Sequence, residues 1–450
     1  TLRTAFEIAR SGRPGPVVVD IPKNVQNAKL RFDGACRLPI PGYRQRLRAI
    51  EHARLDDEAC ARFFAALAQA RRPLIYAGGG VIHGDAAPAL RAFVDAFGIP
   101  VTTTLMGLGV FDTRQPLALH MLGMHGTAYA NYAVEDCDCL LALGARFDDR
   151  VAGVPEKFAP RTKFIAQIDI DPAEMGKVKP VDWQHVGPLA AALERLTRYG
   201  ETHGVALQLD DWHAHIAQLK RDHALDYDRA GEKIQPQAVI EAINRHAQGR
   251  AIVSTGVGQH QMWAAQYFDF AEPRHWLTSG SMGTMGFGLP AAIGAQFARP
   301  DALVIDIDGD GSIRMNLGEL ETVTTYGLPL KIVVLNNLGD GMVRQWQKLY
   351  FGRRFAATDK SLHRKDFIKA AEADGFGWTR RLERNDQLES TIAEFIAHRG
   401  PAFLEVMIDP DAGVYPMVGP GATYAQMITG DFIAARALPV VAEKETPDMF

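Results

Sequence analysis

Two short polar stretches, each placed directly after an apolar run, could together bind a divalent metal and a diphosphate. Residues 308–312 have the sequence DGDGS and follow the run 303–307, and residues 336–337 are paired asparagines at the end of the run 331–335. Mg²⁺ prefers near-octahedral oxygen coordination, with one or two carboxylates completed by phosphate oxygens. An aspartate carboxylate and an asparagine amide oxygen lying side by side would supply the protein's share of that shell.

Within these stretches we predict three metal ligands, which are the Asp310 carboxylate, the Asn337 side chain and the backbone carbonyl of Gly339. Gly309 and Gly311 have no side chains, so they let the backbone approach phosphate groups and leave their amides free to donate. A glycine-aspartate turn alone is a weak signal for metal binding. The prediction depends on its combination with the second run and the asparagines.

These residues can meet only if the two apolar runs form neighbouring parallel strands. Strands buried on both faces read as continuous apolar runs, and their carboxyl ends share one edge of the sheet, where ligands bind. Between the runs, Leu317, Leu320 and Val323 recur at helical spacing within residues 316–326, as a crossover helix requires. The sequence therefore predicts a strand, a helix and a second strand with a ligand at the strand ends.

A second α/β region precedes this one. Helical patterns alternate with apolar runs at 73–77, 99–103, 139–143 and 164–168, which is typical of a doubly wound sheet. Gly78, Gly79 and Gly80 follow the first run and would either contact a phosphate-bearing nucleotide or simply reverse the chain. The predicted fold class is α/β, with several domains built on doubly wound parallel sheets.

Length and composition bound the remaining possibilities. The 450 residues are too many for one core, and the net charge of −4 gives no basic footprint for nucleic acid. No apolar stretch reaches the roughly 18 residues that span a bilayer. We therefore expect no nucleic acid partner, no membrane partner and a cytoplasmic location. Cys36, Cys60, Cys137 and Cys139 are too sparse for a disulfide framework or a zinc site and are predicted to be core thiols.

Three local predictions concern the segments around these domains. Residues 17–21 (VVVDI) are predicted to form a buried strand, and residues 31–55 an exposed linker. His213, His215 and His223 lie in a polar helical connector, where a solvated helix face is favoured over a metal site.

Several segments resemble the acetolactate synthase (acetohydroxyacid synthase) family of thiamin diphosphate enzymes. The metal and diphosphate pairing is shared by many thiamin enzymes, whereas GARFDDR and GMVRQWQ point to this family. The resemblance covers nearly the whole chain and rests on residues 11–16 (SGRPGP), 121–126 (MLGMHG), 144–150 (GARFDDR), 256–263 (GVGQHQMW), 283–290 (GTMGFGLP) and 341–347 (GMVRQWQ).

The resemblance implies a thiamin diphosphate-binding fold together with a flavin-binding, Rossmann-like middle domain. It divides the chain into the end of a pyrimidine-binding domain (1–30), a linker (31–55), a central FAD-binding domain (56–198), a helical connector (199–233), a domain binding the diphosphate and Mg²⁺ (234–430) and a C-terminal tail (431–450).

The activity implied is that of the catalytic subunit. Such a subunit decarboxylates pyruvate on thiamin diphosphate and condenses the hydroxyethyl unit with pyruvate or 2-ketobutyrate. The products are 2-acetolactate or 2-aceto-2-hydroxybutyrate, used in branched-chain amino acid biosynthesis. The implied cofactors are thiamin diphosphate, Mg²⁺ and FAD in a non-redox role. The implied assembly is a homodimer or homotetramer with shared active sites and a possible small regulatory subunit.

Two alternatives stay open at this point. One is another thiamin diphosphate-dependent carboligase or decarboxylase, of the glyoxylate carboligase or sulfoacetaldehyde acetyltransferase type. The other is an inactive cofactor-binding fragment. The chain opens at Thr1 inside an amphipathic helix, and no residue matches the glutamate that activates thiamin in the family. We therefore expect residues 1–450 alone to be inactive.

The resemblance also assigns roles to individual residues. Met285 would wedge under the cofactor, Arg150 would bind the second ketoacid, and Trp346 would shape its pocket, with Met342 and Lys23 alongside. The thiamin diphosphate residues would be Val257, Gly258, Gln259, His260, Gly283, Met285, Gly309, Gly311, Ser312, Gly341 and Met342. The flavin residues would be Arg13, Gly78, Gly79, Gly80, His125, Gly126, Thr127, Gly144, Arg146, Asp169 and Asp171.

Other roles are conceivable for three of these side chains. Met285 could fill the core, Trp346 could be a buried core aromatic, and Arg150 could form a surface ion pair with Asp148 or Asp149.

The chain also departs from the family's usual residues. Asp340 adds a carboxylate beside the predicted diphosphate site, and we expect it to point away while Gly339 still presents its carbonyl. Pro188 replaces an aspartate at a flavin contact, and Pro420 and Ala422 replace the usual small residues of a C-terminal loop.

Overall fold

A computed structural model of the chain describes residues 1–29, 31, 34, 40–363 and 365–437. Two six-stranded sheets organise most of it, and every strand pairing within them is parallel. The predicted α/β class with doubly wound parallel sheets is confirmed. The domain boundaries drawn from the sequence stay predictions.

The first part of the chain carries helices α1 (Leu2–Arg10), α2 (Lys23–Asn27) and α3 (Tyr43–Glu51). The predicted strand at 17–21 is wrong, because those residues form no strand and the Val18 side chain is 91% exposed. A strand needs a neighbour for its backbone N–H and C=O groups, and no described strand pairs with this segment. The linker prediction is also incomplete, because α3 lies inside it. Cys36 lies outside the described residues.

The middle sheet has the strand order β3-β2-β1-β4-β5-β6, which is the Rossmann order for a dinucleotide-binding sheet. Its strands are β1 (Pro73–Ala77), β2 (Val101–Thr103), β3 (Ala118–Met121), β4 (Cys139–Leu143), β5 (Phe164–Asp169) and β6 (Trp183–Val186). Its helices are α4 (Asp57–Leu67), α5 (Gly79–His83), α6 (Ala87–Phe97), α7 (Ala128–Asp136), α8 (Leu189–Thr202) and α9 (Asp210–Asp222). Strand β4 is buried along its whole length because helices cover both faces.

The second sheet has the order β11-β12-β10-β9-β7-β8. Its strands are β7 (Ile252–Thr255), β8 (Trp276–Leu277), β9 (Val304–Gly309), β10 (Lys331–Asn336), β11 (Trp378–Leu382) and β12 (Ala402–Met407). Its helices are α10 (Pro236–Ala247), α11 (Gln259–Tyr267), α12 (Gly288–Ala298), α13 (Leu320–Thr325), α14 (Gly341–Tyr350), α15 (Phe367–Ala373) and α16 (Leu388–Ala397). The strand order reverses between β7 and β9, and ligands bind at such switch points.

The crossover between β9 and β10 differs from the predicted single helix. It is a 3₁₀ segment, Ile313–Glu319, followed by the short helix α13. Asn316 breaks the helical path with φ −130°, and its side chain donates to the Gly286 carbonyl at 2.7 Å. Other 3₁₀ turns are Leu105–Gly107, Pro155–Lys157, Pro172–Glu174, Ser361–His363, Asn385–Gln387 and Tyr424–Gln426.

The connector histidines do not form a solvated face. His213 Nε2 lies 2.6 Å from the Gly98 carbonyl, His215 Nε2 lies 2.9 Å from Asp136, and His223 Nδ1 lies 2.6 Å from the Ala434 carbonyl. That prediction is wrong because each ring meets an acceptor that is distant in sequence. Cys60, Cys137 and Cys139 are free and buried, as expected.

After β12 the chain returns to the middle domain. The Val418 N–H donates to the Met124 carbonyl at 2.8 Å, and the Tyr424 hydroxyl donates to the Val151 carbonyl at 2.7 Å. Arg436 donates two hydrogen bonds to the buried Asp136 carboxylate, at 3.1 and 2.6 Å. We call residues 415–437 the returning segment. Among the described residues, no helix is long and apolar enough to cross a bilayer.

Candidate cofactor and active site

The two predicted metal-ligand side chains lie at adjacent strand ends. Strands β9 and β10 pair in parallel, with Gly309 opposite Leu335, so the residues that follow them converge. The Asn337 backbone N–H lies close enough to the Asp310 carboxylate to act against the rise of its pKa. Asp310 is 1% exposed, and its Oδ2 has no hydrogen-bond partner among the described residues. The pair is thus assembled with one carboxylate oxygen still available.

Burial raises the pKa of the Asp310 carboxyl to about 6, although the Lys360 ammonium and the Arg314 guanidinium act in the opposite direction. The Asn337 side chain is held on both sides. Its Oδ1 accepts from the Gly339 N–H at 3.1 Å, and its Nδ2 donates to Gln259 Oε1 at 3.3 Å. A carbonyl oxygen has a second lone pair, so Oδ1 can still bind a cation.

These groups fit Mg²⁺, which binds hard oxygen donors and needs few carboxylates when phosphates complete its shell. The described residues contain no cluster of three or more His, Cys, Asp or Glu that could hold a metal by themselves. The predicted ligand set does not depend on such a cluster, because it combines one carboxylate with an amide and a backbone carbonyl.

Glycines leave the backbone bare around this pair. A Cβ added to Gly256 would collide with Asp308 and Ser312, and one added to Gly341 would collide with Gln259 and Asn337. The space beside each backbone is therefore filled by polar side chains of the site. These two glycines let the polar side chains of the site pack directly against the backbone.

Ser312 joins three segments of the site. Its Oγ accepts from the Val257 N–H at 3.2 Å and from the Gly286 N–H at 3.0 Å. Burial raises the pKa of Asp308 to about 7, with the Ser312 hydroxyl acting against it. Ser312 thus positions the turn after β7 against the end of β9, and its predicted cofactor contact stays a prediction.

His260 packs on the same turn. A side chain at Gly309 would meet its Nδ1 at 2.6 Å, and its Nε2 lies 3.4 Å from Asp308 Oδ1. Burial lowers the pKa of His260 to about 3, so the imidazole is neutral at pH 7 and the contact with Asp308 is not an ion pair. Met285 is only half-buried, with its methyl 3.4 Å from a Cβ added at Gly311, so it lies on the turn rather than in the core.

A cavity of about 900 Å³ connects the strand ends of the two sheets. Residues predicted to contact thiamin diphosphate, flavin and substrate all line this cavity. They are Val257, Gly258, Gly283 and Met342 for thiamin diphosphate; Arg13, Gly78, Gly79, Gly80, His125, Gly144, Arg146 and Asp169 for flavin; and Arg150 and Trp346 for substrate. Predicted residues that do not line it are the three metal ligands, Asp310, Asn337 and Gly339, together with Lys23, Gln259, His260, Met285, Gly309, Gly311, Ser312, Gly341, Gly126, Thr127 and Asp171.

Several of these residues contact other groups of the protein. Thr127 caps α7 by accepting from the Ala130 N–H and donates to the Leu119 carbonyl. Asp171 accepts from Arg13 at 3.3 Å, and Lys23 lies on the exposed helix α2. Their assigned roles stay predictions.

Arg150 and Trp346 also line a smaller cavity of about 240 Å³, together with Pro420 and Ala422. Asp148 forms its ion pair with Arg146 at 3.4 Å, whereas Arg150 Nη1 contacts Met124 Sδ at 3.9 Å. The Arg150 backbone N–H donates to Asp148 Oδ1 at 3.1 Å, but no carboxylate pairs with the Arg150 guanidinium in the part of the chain that the structure describes. Trp346 is half-buried rather than a core aromatic. The ion-pair and core alternatives are therefore wrong for these two residues.

The orientation expected for Asp340 is also wrong. A Cβ added at Gly311 would collide with Asp340 Oδ1, and the Asp340 carboxylate pairs with Lys360. Asp340 faces the turn because its backbone N–H is bound to the Thr358 carbonyl at 3.0 Å. Sequence reasoning missed Lys360, which carries no signal beyond being a basic residue in a polar loop.

Comparison with known proteins identifies the family. Residues 256–406 match the model "Thiamine pyrophosphate enzyme, C-terminal TPP binding domain", and residues 60–196 match "Thiamine pyrophosphate enzyme, central domain". Over 424 residues the chain is 43% identical to the acetolactate synthase isozyme 2 large subunit of Escherichia coli (strain K12), covering 94% of this chain and 74% of that protein. The chain belongs to the acetolactate synthase family.

Plant members of the acetolactate synthase family match as well. The chain is 43% identical over 436 residues to the chloroplastic acetolactate synthase 1 of Nicotiana tabacum, and 42% identical over 435 residues to that of Zea mays. It spans 64% of the length of the tobacco protein and 67% of the maize protein. The resemblance drawn from the sequence is confirmed, and the second sheet belongs to the thiamine pyrophosphate-binding domain of the family.

Proposed function

We propose that this chain forms part of the catalytic subunit of an acetolactate synthase. The subunit decarboxylates pyruvate and joins the two-carbon unit to pyruvate or 2-ketobutyrate, which gives 2-acetolactate or 2-aceto-2-hydroxybutyrate for branched-chain amino acid biosynthesis. One observation carries the proposal. The turn Val257–Gly258, the Arg150 guanidinium and the Trp346 ring all line the same cavity.

The residues at the strand ends would hold thiamin diphosphate through Mg²⁺. Asp310, Asn337 and the Gly339 carbonyl are the proposed metal ligands, and the Gly258 amide would donate to the diphosphate. When bound, the thiazolium supplies the electron sink for decarboxylation. Ser312 supports this position, since its Oγ accepts from both the Val257 N–H and the Gly286 N–H.

Arg150 would bind the carboxylate of the second ketoacid. A guanidinium matches a carboxylate with two parallel N–H donors, and the Arg150 guanidinium is not paired with a carboxylate among the described residues. Trp346 would set the width of the pocket that receives the methyl or ethyl group of the ketoacid. One methylene in such a pocket is worth about 1–3 kcal/mol, which produces a preference without absolute exclusion.

The middle domain would hold FAD in a non-redox role. The support is the Rossmann strand order and the bare backbone after β1, where side chains at Gly78 or Gly80 would collide with Gly144. Arg13 reaches this region and pairs with Glu174 at 2.8 Å. Pro188, at the start of α8, lines the cavity where the family's aspartate would contact the flavin.

The assembly and location complete the proposal. We propose a homodimer or homotetramer with shared active sites, a possible small regulatory subunit and a cytoplasmic location. The relative in E. coli is named a large subunit, which supports a two-component assembly.

Product analysis tests the reaction. The protein in its full-length form is incubated with pyruvate, thiamin diphosphate, Mg²⁺ and FAD, and the products are separated by mass. Acetolactate is expected, and added 2-ketobutyrate should yield 2-aceto-2-hydroxybutyrate. Acetaldehyde or acetyl phosphate without acetolactate would assign the chain to a different thiamin reaction and overturn the proposal.

A further inference from the structure

Two short segments beside the metal ligands pair with each other. Gly339 and Asp359 form an antiparallel bridge, with the Asp340 N–H donating to the Thr358 carbonyl at 3.0 Å and the Lys360 N–H donating to the Leu338 carbonyl at 2.8 Å. In this register Asp340 and Lys360 are diagonal neighbours, and side chains at such positions lie on the same face. The backbone therefore fixes both side chains next to the metal site.

The Lys360 ammonium is enclosed and incompletely bonded. Its Nζ is shielded from solvent and meets no hydrogen-bond geometry with any described residue, although it forms an ion pair with Asp340. An ammonium carries three N–H donors. A buried charged group with unused donors is costly unless a ligand satisfies them.

The same ammonium lies within electrostatic reach of the metal-ligand carboxylate. Lys360 pairs with Asp340, and Asp340 Oδ1 lies where a Cβ on Gly311 would stand, directly after Asp310. Asp310 and Asp340 together place two negative charges at the turn that would receive a diphosphate. A third, cationic group at that point offsets their repulsion of the phosphates.

We propose that Lys360 is a diphosphate-binding residue. Its ammonium donates to a phosphate oxygen of thiamin diphosphate, and the backbone pairing of residues 338–340 with 358–360 holds it there. This inference rests on the proposed thiamin diphosphate site and adds a ligand to it. Lysine suits the role because it binds phosphate as a mobile point charge.

A double-mutant cycle tests the assignment. Binding of thiamin diphosphate in the presence of Mg²⁺ is measured by titration calorimetry for the full-length protein and for K360M, D340N and the double variant. We expect K360M to weaken binding about tenfold or more, because it removes a charge-assisted hydrogen bond. The same loss is expected when K360M is added to D340N. FAD binding should not change.

The cycle distinguishes phosphate binding by Lys360 from simple neutralisation of the Asp340 charge. If Lys360 only neutralises Asp340, the substitution K360M will cost nothing in the D340N background, and the proposal is overturned. K369M is the matched control, since Lys369 is 81% exposed on α15, and it should bind like wild type. Wild-type protein that makes acetolactate while the cycle shows no loss would refute this inference alone. Wild-type protein that binds no thiamin diphosphate would refute the proposed function as well.

Discussion

Asp310 and Asn337 follow two adjacent parallel strands, and the Asn337 backbone N–H acts to lower the pKa of the Asp310 carboxyl. The buried Oδ2 of Asp310 has no hydrogen-bond partner among the described residues. The geometry follows from the pairing of β9 with β10, which places residues that are distant in sequence at one sheet edge. The first prediction concerns the charge of this carboxylate.

Asp310→Asn should weaken Mg²⁺-dependent binding of thiamin diphosphate by about 100-fold, as loss of a charged ligand would. The amide has nearly the same size and shape as the carboxyl group, so the fold should be retained. Titration calorimetry with and without Mg²⁺ measures the effect. Asp301→Asn, at an exposed position, is the control. Equal affinity of Asp310→Asn and wild type would rule out Asp310 as a metal ligand.

Gly256→Ala should destabilise the protein by about 1–3 kcal/mol through overpacking, because the new methyl would collide with Asp308 and Ser312. It should also reduce thiamin diphosphate affinity, since Ser312 positions Val257. Thermal unfolding and calorimetry measure the two effects.

Gly294→Ala is the matched control for that substitution. Gly294 is an exposed residue inside α12 with no atom within 4 Å of an added Cβ. Alanine should stabilise this helix by roughly 0.5–1 kcal/mol. A Gly256→Ala variant as stable as the control would contradict the crowding described here.

Lys331 should make folding stability depend on pH above neutrality. It is 2% exposed, its Nζ donates to the carbonyls of Pro329 and Gly400, and burial lowers its pKa to about 8. Between about pH 8 and 10.4 the unfolded chain holds a proton that the folded chain has released. The free energy of unfolding attributable to this group therefore rises with pH across that window.

Lys331→Met removes this titration with little change of volume. The difference in unfolding free energy between wild type and variant should increase from pH 8 to pH 10, as measured by urea unfolding. Lys348→Met, at an exposed position on α14, should show no such trend. Parallel pH profiles for wild type and Lys331→Met would disprove the prediction.

Arg150→Met should raise the apparent KM for pyruvate by about tenfold or more, because a charge-assisted contact with the ketoacid carboxylate is lost. Binding of thiamin diphosphate and Mg²⁺ should be unaffected, since Arg150 is not among the proposed metal or diphosphate ligands. Steady-state kinetics and calorimetry check the two halves. Arg221→Met, exposed on α9, is the control, and an unchanged KM for Arg150→Met would exclude the proposed role.

The sequence was sufficient to predict the strands that carry the site. Runs such as 139–143 and 331–335 are continuous and apolar because helices cover both faces of the sheets. The side-by-side placement of Asp310 and Asn337 then followed from parallel pairing alone. Residues 17–21 have the same pattern but form no strand. An apolar run indicates burial, but it does not reveal whether a neighbouring strand is available for pairing.

Contacts between segments far apart in sequence could not be predicted in the same way. His215 looked solvated because its partner, Asp136, lies in a different helix. Asp340 was expected to point away because the pairing of its segment with Thr358 leaves no pattern in either segment. Lys360 was missed for the same reason. Hydrophobic periodicity reports burial, whereas the positions of single charged groups depend on backbone pairings that it does not encode.

The returning segment couples the domain of the second sheet to the middle domain. Arg436 donates to the Asp136 carboxylate on α7, and the Tyr424 hydroxyl donates to the Val151 carbonyl. The Val418 N–H donates to the Met124 carbonyl at the cavity wall. The two domains are therefore joined by these hydrogen bonds as well as by the chain that links them in sequence. A substitution that weakens these contacts would let the two domains separate and admit water to the cavity, even though no residue lining the cavity is replaced.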